Sequence, residues 1–228
     1  MNDAILLFDY DGTVRLGWEH AAHYARLVAS ELESDDRKAF LDAHTAFVAG
    51  KPTTGSTFDA FDPDNAVRRL AGDYGIDDKV RQAAYEDTRA LMAEGQFNVW
   101  APAGLREMIW GLPRQVEIYL ATNAPAESLE PVLDRLGLDG LFDKVIGDAN
   151  KPDGMPEILD DLLDGRDPSS LLSIGDIPRN DLAPAVDYGC ATAYIDHFGR
   201  PWPAADVSVS TIEELYPFIH RWVTERLA

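Results

Sequence analysis

Short apolar runs alternate with amphipathic segments over the second half of this 228-residue chain. Runs of four to eight apolar residues bounded by turn residues predict buried strands, and the segments between them have helical periodicity. Strands that alternate with helices predict an α/β fold, in which helices cover both faces of a parallel sheet. The strand-like runs are AILLF (4–8), VEIYLA (116–121), KVIG (144–147), LLSIG (171–175) and ATAYI (191–195), and the helical segments are 125–137, 155–165 and 182–189.

One long interval interrupts this alternation, because more than 100 residues without a strand signal separate the first run from the second. Residues 17–48 predict one or two helices, and residues 77–95 predict another. Between them, Asp62 followed by Pro63 is typical of a helix start. The sequence therefore predicts two domains. Residues 1–14 and 100–228 form the α/β core, and residues 15–99 form a helical insertion.

The charge of the chain limits its partners. Forty acidic residues oppose twenty basic ones, which gives a formal net charge of −20. Such a surface repels nucleic acids and anionic membranes, so neither is expected as a partner. No apolar run approaches the roughly 20 residues that span a bilayer. No basic segment precedes the first apolar run, and the lone Cys190 cannot form an internal disulfide. We therefore expect a cytoplasmic protein.

The first apolar run leads directly into two carboxylates, in the stretch AILLFDYDGTV. If the extended backbone continues to residue 11, Asp9 and Asp11 face one side and Tyr10 faces the other. They follow the carboxyl end of a parallel strand, where open α/β sheets bind ligands, and Gly12 permits a sharp turn. Two like charges this close require a cation or a shared proton. The structural alternative is a pair of turn-forming aspartates that cap a loop.

Polar residues also follow the next three strand-like runs. Thr122 and Asn123 follow the second run, just before a helix, and predict either an anion site or simple helix capping. Lys151 follows the third run and is suited to neutralising a bound phosphate, although a surface lysine is the alternative. Asp176 and Asp181 follow the fourth run. Carboxylates from separate strand ends are typical ligands of Mg²⁺.

The ordered motifs DYDGT, ATN, KP and GDIPRND resemble those of the haloacid dehalogenase (HAD) superfamily. The resemblance implies a Rossmann-like core with a small α-helical cap inserted after the first strand. It implies that Asp9 is the nucleophile that becomes an aspartyl-phosphate. Asp11 would then protonate the leaving oxygen and later activate the hydrolytic water.

The resemblance also assigns the binding residues. It implies that Thr122 and Lys151 act in catalysis by holding the phosphoryl oxygens and balancing their charge. The phosphate-binding set is Asp9, Gly12, Thr122, Asn123 and Lys151. The Mg²⁺ ligands would be Asp9, Asp11 through its carbonyl, and Asp176, with Asp181 helping directly or through water.

The aspartate at position 11 separates the chemistries of this superfamily. The dehalogenases lack it, and phosphonatases have a small residue there together with a cap lysine. We therefore expect a Mg²⁺-dependent phosphatase, a monomer or homodimer, that acts on a small phosphorylated metabolite. A phosphosugar mutase shares all four motifs and is the main alternative, ahead of a phosphonate hydrolase or a non-catalytic phosphate-binding protein. Lys51, in the stretch GKPTTG, is predicted to select the substrate, unless it is only an exposed loop lysine.

Overall fold

The computed structural model describes residues 4–51 and 55–228. The chain divides into two compact units. One unit comprises the chain up to Leu16 together with Trp100–Ala228, and the other comprises Gly17–Val99. The first boundary therefore lies two residues after the predicted one, which follows residue 14. We refer to the two units as the α/β unit and the helical unit.

Within the described residues, six strands form one parallel sheet in the order β3-β2-β1-β4-β5-β6. The predicted α/β fold with a Rossmann-like sheet is confirmed, and each of the five apolar runs contains one strand. The sixth strand, β6, was not predicted, because a serine interrupts its sequence, VSV, and leaves no continuous apolar run. The strands are β1 (Ile5–Phe8), β2 (Glu117–Ala121), β3 (Lys144–Ile146), β4 (Leu171–Gly175), β5 (Ala191–Ile195) and β6 (Val207–Val209).

The helical unit contains four α-helices among its described residues, and three of them supply most of its apolar core. The N-cap of the third helix is as predicted: the Asp62 carboxylate accepts the Asn65 N–H at 2.6 Å, and Pro63 occupies the first turn. Tyr24, Phe40 and Val67, which come from three different helices, are fully buried in the core. The helices are α1 (Glu19–Ala29), α2 (Ser34–Val48), α3 (Pro63–Asp73) and α4 (Asp78–Ala93).

The helices of the α/β unit bury apolar side chains against the sheet. Met155, Leu159 and Leu162 of α7 pack in one cluster with Ile5 and Leu7 of β1. The helices are α5 (Leu105–Trp110), α6 (Leu129–Arg135), α7 (Met155–Leu163), α8 (Ala183–Tyr188) and α9 (Tyr216–Leu227). In the part of the chain that the structure describes, no helix has the length and apolar composition needed to cross a membrane.

The strand order determines where a ligand binds. In the order 3-2-1-4-5-6, the chain direction along the sheet reverses between β1 and β4, and the crevice outside their carboxyl ends is the usual ligand site. Phe8 at the end of β1 pairs with Ile174 of β4. Asp9 and Asp176 therefore leave neighbouring strands at the reversal point of the sheet.

The two points at which the chain enters and leaves the helical unit are bonded to each other. The Leu16 N–H donates to the Trp100 carbonyl at 2.8 Å, and the Trp100 N–H donates back to the Leu16 carbonyl at 3.1 Å. This antiparallel bridge belongs to the α/β unit. It brings the first and second segments of that unit together at the insertion point.

Candidate active site

The turn that carries Asp9 and Asp11 begins immediately after β1. The Asp9 N–H still donates to the Ile174 carbonyl at 2.8 Å, as in a strand. The Tyr10 carbonyl then accepts three successive N–H groups, those of Thr13, Val14 and Arg15. The extended backbone therefore ends before residue 11. The expectation that strand alternation aligns the Asp9 and Asp11 side chains is wrong, because these hydrogen bonds close a turn.

Lys151 connects two of the predicted carboxylates. Its ammonium group donates to Asp9 Oδ1 at 2.6 Å, to Asp181 Oδ1 at 2.6 Å and to the Ala121 carbonyl at 2.8 Å. The side chain is buried, so the surface-lysine alternative is wrong. Burial lowers the pKa of Lys151, but the neighbouring charges of Asp181 and Asp9 outweigh this effect and raise it above its ordinary value. Lys151 is therefore a permanent buried cation.

Lys151 pairs with two members of a close group of three carboxyl groups. Asp9, Asp176 and Asp181 are all buried, and each offers an oxygen within 4.8 Å of the other two. Burial raises the pKa of Asp9 to about 7, the charge of Lys151 opposes the rise, and the charge of Asp181 adds to it. Asp9 Oδ2 is buried and has no hydrogen-bond partner among the described residues. Three carboxylates with one paired ammonium leave an excess of negative charge, which suits a divalent cation with hard oxygen ligands, so the residues fit Mg²⁺.

Asp181 is held in the group by its own backbone neighbourhood. Its Oδ2 accepts the Ile177 N–H at 3.0 Å, and its carbonyl accepts the Ser173 hydroxyl at 2.7 Å. A Cβ at Gly175 would lie 2.5 Å from Asp181 Oδ2, so only glycine fits at the end of β4. Asp181 lies in a π-helical turn, Pro178–Leu182, a rare geometry that is frequent at functional sites.

Gly12 lies close to the Asp176 carboxylate and to the imidazole of His197, a residue that the sequence analysis missed. Gly12 has φ +86°, and a Cβ there would lie 2.2 Å from Asp176 Oδ2. Nε2 of His197 lies 2.6 Å from the Gly12 carbonyl oxygen. His197 comes two residues after β5, so the rule that identified the other candidates, a polar residue just after a strand, applies to it as well.

Thr122 and Asn123 follow β2, as predicted. The Thr122 hydroxyl is buried and accepts the Ala124 N–H at 3.0 Å. The Asn123 amide makes a reciprocal pair with the backbone of Lys151, donating to its carbonyl at 2.9 Å and accepting its N–H at 2.6 Å. Its side chain therefore holds the Lys151 backbone in place.

Asp11 does not join the three-carboxylate group through its side chain. Its Oδ1 accepts Nε of Arg15 at 2.6 Å and lies 2.5 Å from Nη2 of the same guanidinium. Arg15 is fully buried, whereas the Asp11 side chain is about one-fifth exposed. This pair was not predicted, because no motif in the sequence connects an arginine with the second aspartate.

Lys51 belongs to the helical unit and is exposed, as expected of a loop lysine. Residues 52–54 of the predicted substrate loop lie outside the described residues. The role of Lys51 in substrate selection stays a prediction.

Comparison with known proteins identifies the fold. No protein-family model and no curated protein matches the sequence. Among solved structures, the magnesium-bound HAD-hydrolase YfnB from Bacillus subtilis is 21% identical, with TM-score 0.63 over 95% of this chain and 98% of that one. A HAD phosphatase from Thermococcus onnurineus is 19% identical, with TM-score 0.58 over 95% and 97%. An L-2-haloacid dehalogenase is 16% identical, with TM-score 0.57 over 95% and 98%.

Proposed function

We propose that this chain, which has the fold of the haloacid dehalogenase-like hydrolases, is a Mg²⁺-dependent phosphatase of a small phosphorylated metabolite. One observation carries the proposal: a buried lysine bridges two carboxylates of a buried group of three, at the reversal point of the sheet. The fold is shared by phosphatases and dehalogenases. The aspartate at position 11 favours phosphate esters over carbon–halogen bonds.

Asp9 is the nucleophile on this proposal. One of its carboxylate oxygens attacks phosphorus, the bond to the leaving oxygen breaks, and an aspartyl-phosphate forms. Oδ1 accepts a hydrogen bond from the Lys151 ammonium, whereas Oδ2 has no hydrogen-bond partner among the described residues. The hydrogen bond from the Asp9 N–H to β4 fixes the backbone under this carboxylate, so that attack needs little rearrangement.

Asp11 exchanges protons with the substrate and with water. It gives a proton to the leaving oxygen in the first step. In the second step it takes a proton from the water that attacks phosphorus, the bond to Asp9 breaks, and inorganic phosphate leaves. Arg15 holds Oδ1 of Asp11 and so fixes the direction of this carboxylate.

Lys151 and Thr122 serve the transferred phosphoryl group. The three equatorial oxygens carry the developing charge, which fixed cations and donors stabilise without reorganising. The Asn123 amide anchors the Lys151 backbone, so the ammonium is held ready beside Asp9. The Thr122 hydroxyl and the backbone N–H of Asn123 complete the phosphate set. Gly12 was predicted to join them, but its backbone N–H donates to the Arg15 carbonyl at 2.9 Å.

Asp9, Asp176 and the carbonyl of Asp11 would hold Mg²⁺, with Asp181 beside them. Bound there, the ion would supply positive charge against the phosphoryl oxygens. On the same proposal the helical unit is the cap of the enzyme, and Lys51 contributes to substrate selection.

The test is phosphate release from a panel of phosphorylated metabolites, with Mg²⁺ and with EDTA. Wild type is compared with Asp9→Asn and with Asp134→Asn, a matched control at an exposed position on α6. We expect metal-dependent release that Asp9→Asn abolishes and Asp134→Asn leaves intact. Release that persists in Asp9→Asn would overturn the proposal that Asp9 is the nucleophile. Isomerised product without phosphate would support the phosphosugar mutase instead.

A further inference from the structure

One imidazole reaches the turn that carries Asp9 and Asp11 from a distant part of the chain. Nε2 of His197 lies 2.6 Å from the Gly12 carbonyl, 185 residues away in sequence. A carbonyl oxygen only accepts hydrogen bonds, so Nε2 carries a proton and donates it to this bond. The contact therefore joins the segment after β5 to the turn after β1.

The segment that carries His197 is itself well ordered by hydrogen bonds. Asp196 Oδ1 accepts the N–H groups of Phe198 at 3.2 Å and Arg200 at 2.7 Å. The Asp196 N–H donates to the Val209 carbonyl at 2.8 Å. An aspartate that closes a turn in this way fixes the direction of the residue that follows it. His197 is consequently held toward Gly12 by the backbone and does not depend on a chance rotamer.

Gly12 is in contact on its other side with the Asp176 carboxylate. No side chain fits at position 12, because a Cβ would lie 2.2 Å from Asp176 Oδ2. His197 Nε2 lies 4.0 Å from the same oxygen, which is too long for a hydrogen bond. His197 therefore acts on the aspartates through the Gly12 backbone.

We propose that His197 is a positioning residue whose hydrogen bond to Gly12 holds the turn after β1 against Asp176. The spacing of the Asp9, Asp11 and Asp176 oxygens depends on that bond. The inference rests on the proposed function for the identity of the ion, Mg²⁺. Groups that orient metal ligands typically change metal affinity by about 10–100-fold when they are removed.

Two substitutions separate the donated hydrogen bond from the volume of the ring. His197→Gln keeps a side-chain N–H at about the reach of Nε2, and His197→Met has similar length without a donor. His220→Met is the matched control, because His220 is exposed on α9. The measurements are the Mg²⁺ dissociation constant by calorimetry, the thermal midpoint in EDTA, and kcat and KM for the best phosphate ester.

We expect His197→Met to weaken Mg²⁺ binding by about 10-fold or more, and to lower kcat with little change in KM. His197→Gln recovers most of both losses, and His220→Met equals wild type. Wild-type Mg²⁺ affinity in His197→Met would overturn the proposal, as would equal losses in the Gln and Met variants. If His197→Met does not fold, nitrogen NMR of the wild-type imidazole decides. A proton on Nε2 supports the hydrogen bond, and a proton on Nδ1 alone overturns it.

The binding measurement also separates this inference from the proposed function. A chain that binds Mg²⁺ in a His197-dependent way but releases no phosphate supports the role of His197 and overturns the phosphatase. Metal-dependent phosphate release that His197→Met leaves unchanged does the reverse.

Discussion

Each unit of this molecule buries charged side chains, but in different proportions. In the helical unit, Asp64 Oδ2 accepts Nη2 of Arg89 at 3.1 Å, and Nε2 of His20 lies 3.5 Å from it. One carboxylate there meets one guanidinium and one imidazole. In the α/β unit, the Lys151 ammonium pairs with Asp9 and Asp181, and Asp176 adds a third buried carboxylate to the group.

The difference distinguishes a structural cluster from a binding site. A buried pair that neutralises itself is strongly destabilised when one partner is removed, because the other charge remains buried alone. A group with excess like charge is destabilised as it stands, and its energy falls when a cation binds. The helical unit therefore uses buried charge to join three helices, whereas the excess negative charge in the α/β unit would be stabilised by a bound cation.

We call Asp9, Asp176 and Asp181 the excess group, because their negative charge exceeds the charge of Lys151. The largest expected effect is that of removing one carboxylate from this group. Asp9→Asn should lower phosphatase activity by at least about 10³-fold, because it removes the nucleophile. The same change should leave the metal-free thermal midpoint equal or higher, because it relieves crowding among the carboxylates and leaves Lys151 paired with Asp181. A lower midpoint in EDTA would contradict the view that this group is strained without a cation.

Removing the carboxylate from the cluster of Asp64, Arg89 and His20 should have the opposite consequence, a loss of stability. Asp64→Asn removes the negative charge that lies against the buried Arg89 guanidinium. Since Asp64 is partly exposed, we expect a loss of about 2–4 kcal/mol in the free energy of unfolding. Urea denaturation of the variant beside Asp134→Asn, the surface control, measures it. A change no larger than that of the control would show that the pair is not structural.

Adding the ion should stabilise only the chain with an intact excess group. At a Mg²⁺ concentration about 100 times its dissociation constant, linkage predicts a gain of about 2.7 kcal/mol in wild type. Asp9→Asn should gain much less, whereas Asp64→Asn should gain as much as wild type. Thermal shift with and without Mg²⁺ checks this, and equal gains in all three proteins would place the ion elsewhere.

The smallest expected effect concerns how the stability of the metal-free protein depends on pH. A group in each unit contributes to this dependence, and the two contributions have opposite signs. Burial lowers the pKa of His44 in the helical unit below its ordinary 6.5, so the unfolded chain binds more protons and acidification below about pH 6.5 destabilises the fold. The pKa of Asp9 is raised from 3.8 to about 7, so protonation of the folded state between these values stabilises it.

Two substitutions isolate these contributions. On acidification from about pH 7.5 to 5.5 in EDTA, His44→Gln should lose less stability than wild type, and Asp9→Asn should lose more. Urea denaturation at the two pH values gives both differences. The same pH response in all three proteins would mean that the pKa of neither group differs between the folded and unfolded states.

The parts of the structure that the sequence predicted share one physical basis. Buried parallel strands need near-continuous apolar runs, so β1 to β5 could be predicted from the sequence alone. Polar residues after those runs had to meet at one edge of the sheet, which is why Asp9, Asp176 and Asp181 were predicted and are found together. Their catalytic roles stay predictions.

The parts that were missed depend on contacts without a local pattern. Strand β6 has the sequence VSV, in which a serine interrupts the apolar residues, so its hydrophobic signal is weak. The Arg15–Asp11 pair and the His197–Gly12 bond depend on how turns close, which periodicity does not encode. The strand-end rule, applied also to the fifth run, would have found His197.

The bridge between Leu16 and Trp100 bears on how such a chain changes during evolution. The two residues that flank the helical unit are hydrogen-bonded neighbours, so the unit is a closed loop of chain that begins and ends at one place. All the strand pairings of the sheet lie outside that loop. A gene of this kind can lengthen, exchange or lose the sequence between these two codons while every strand keeps its register, so the helical unit is free to evolve without disturbing the sheet.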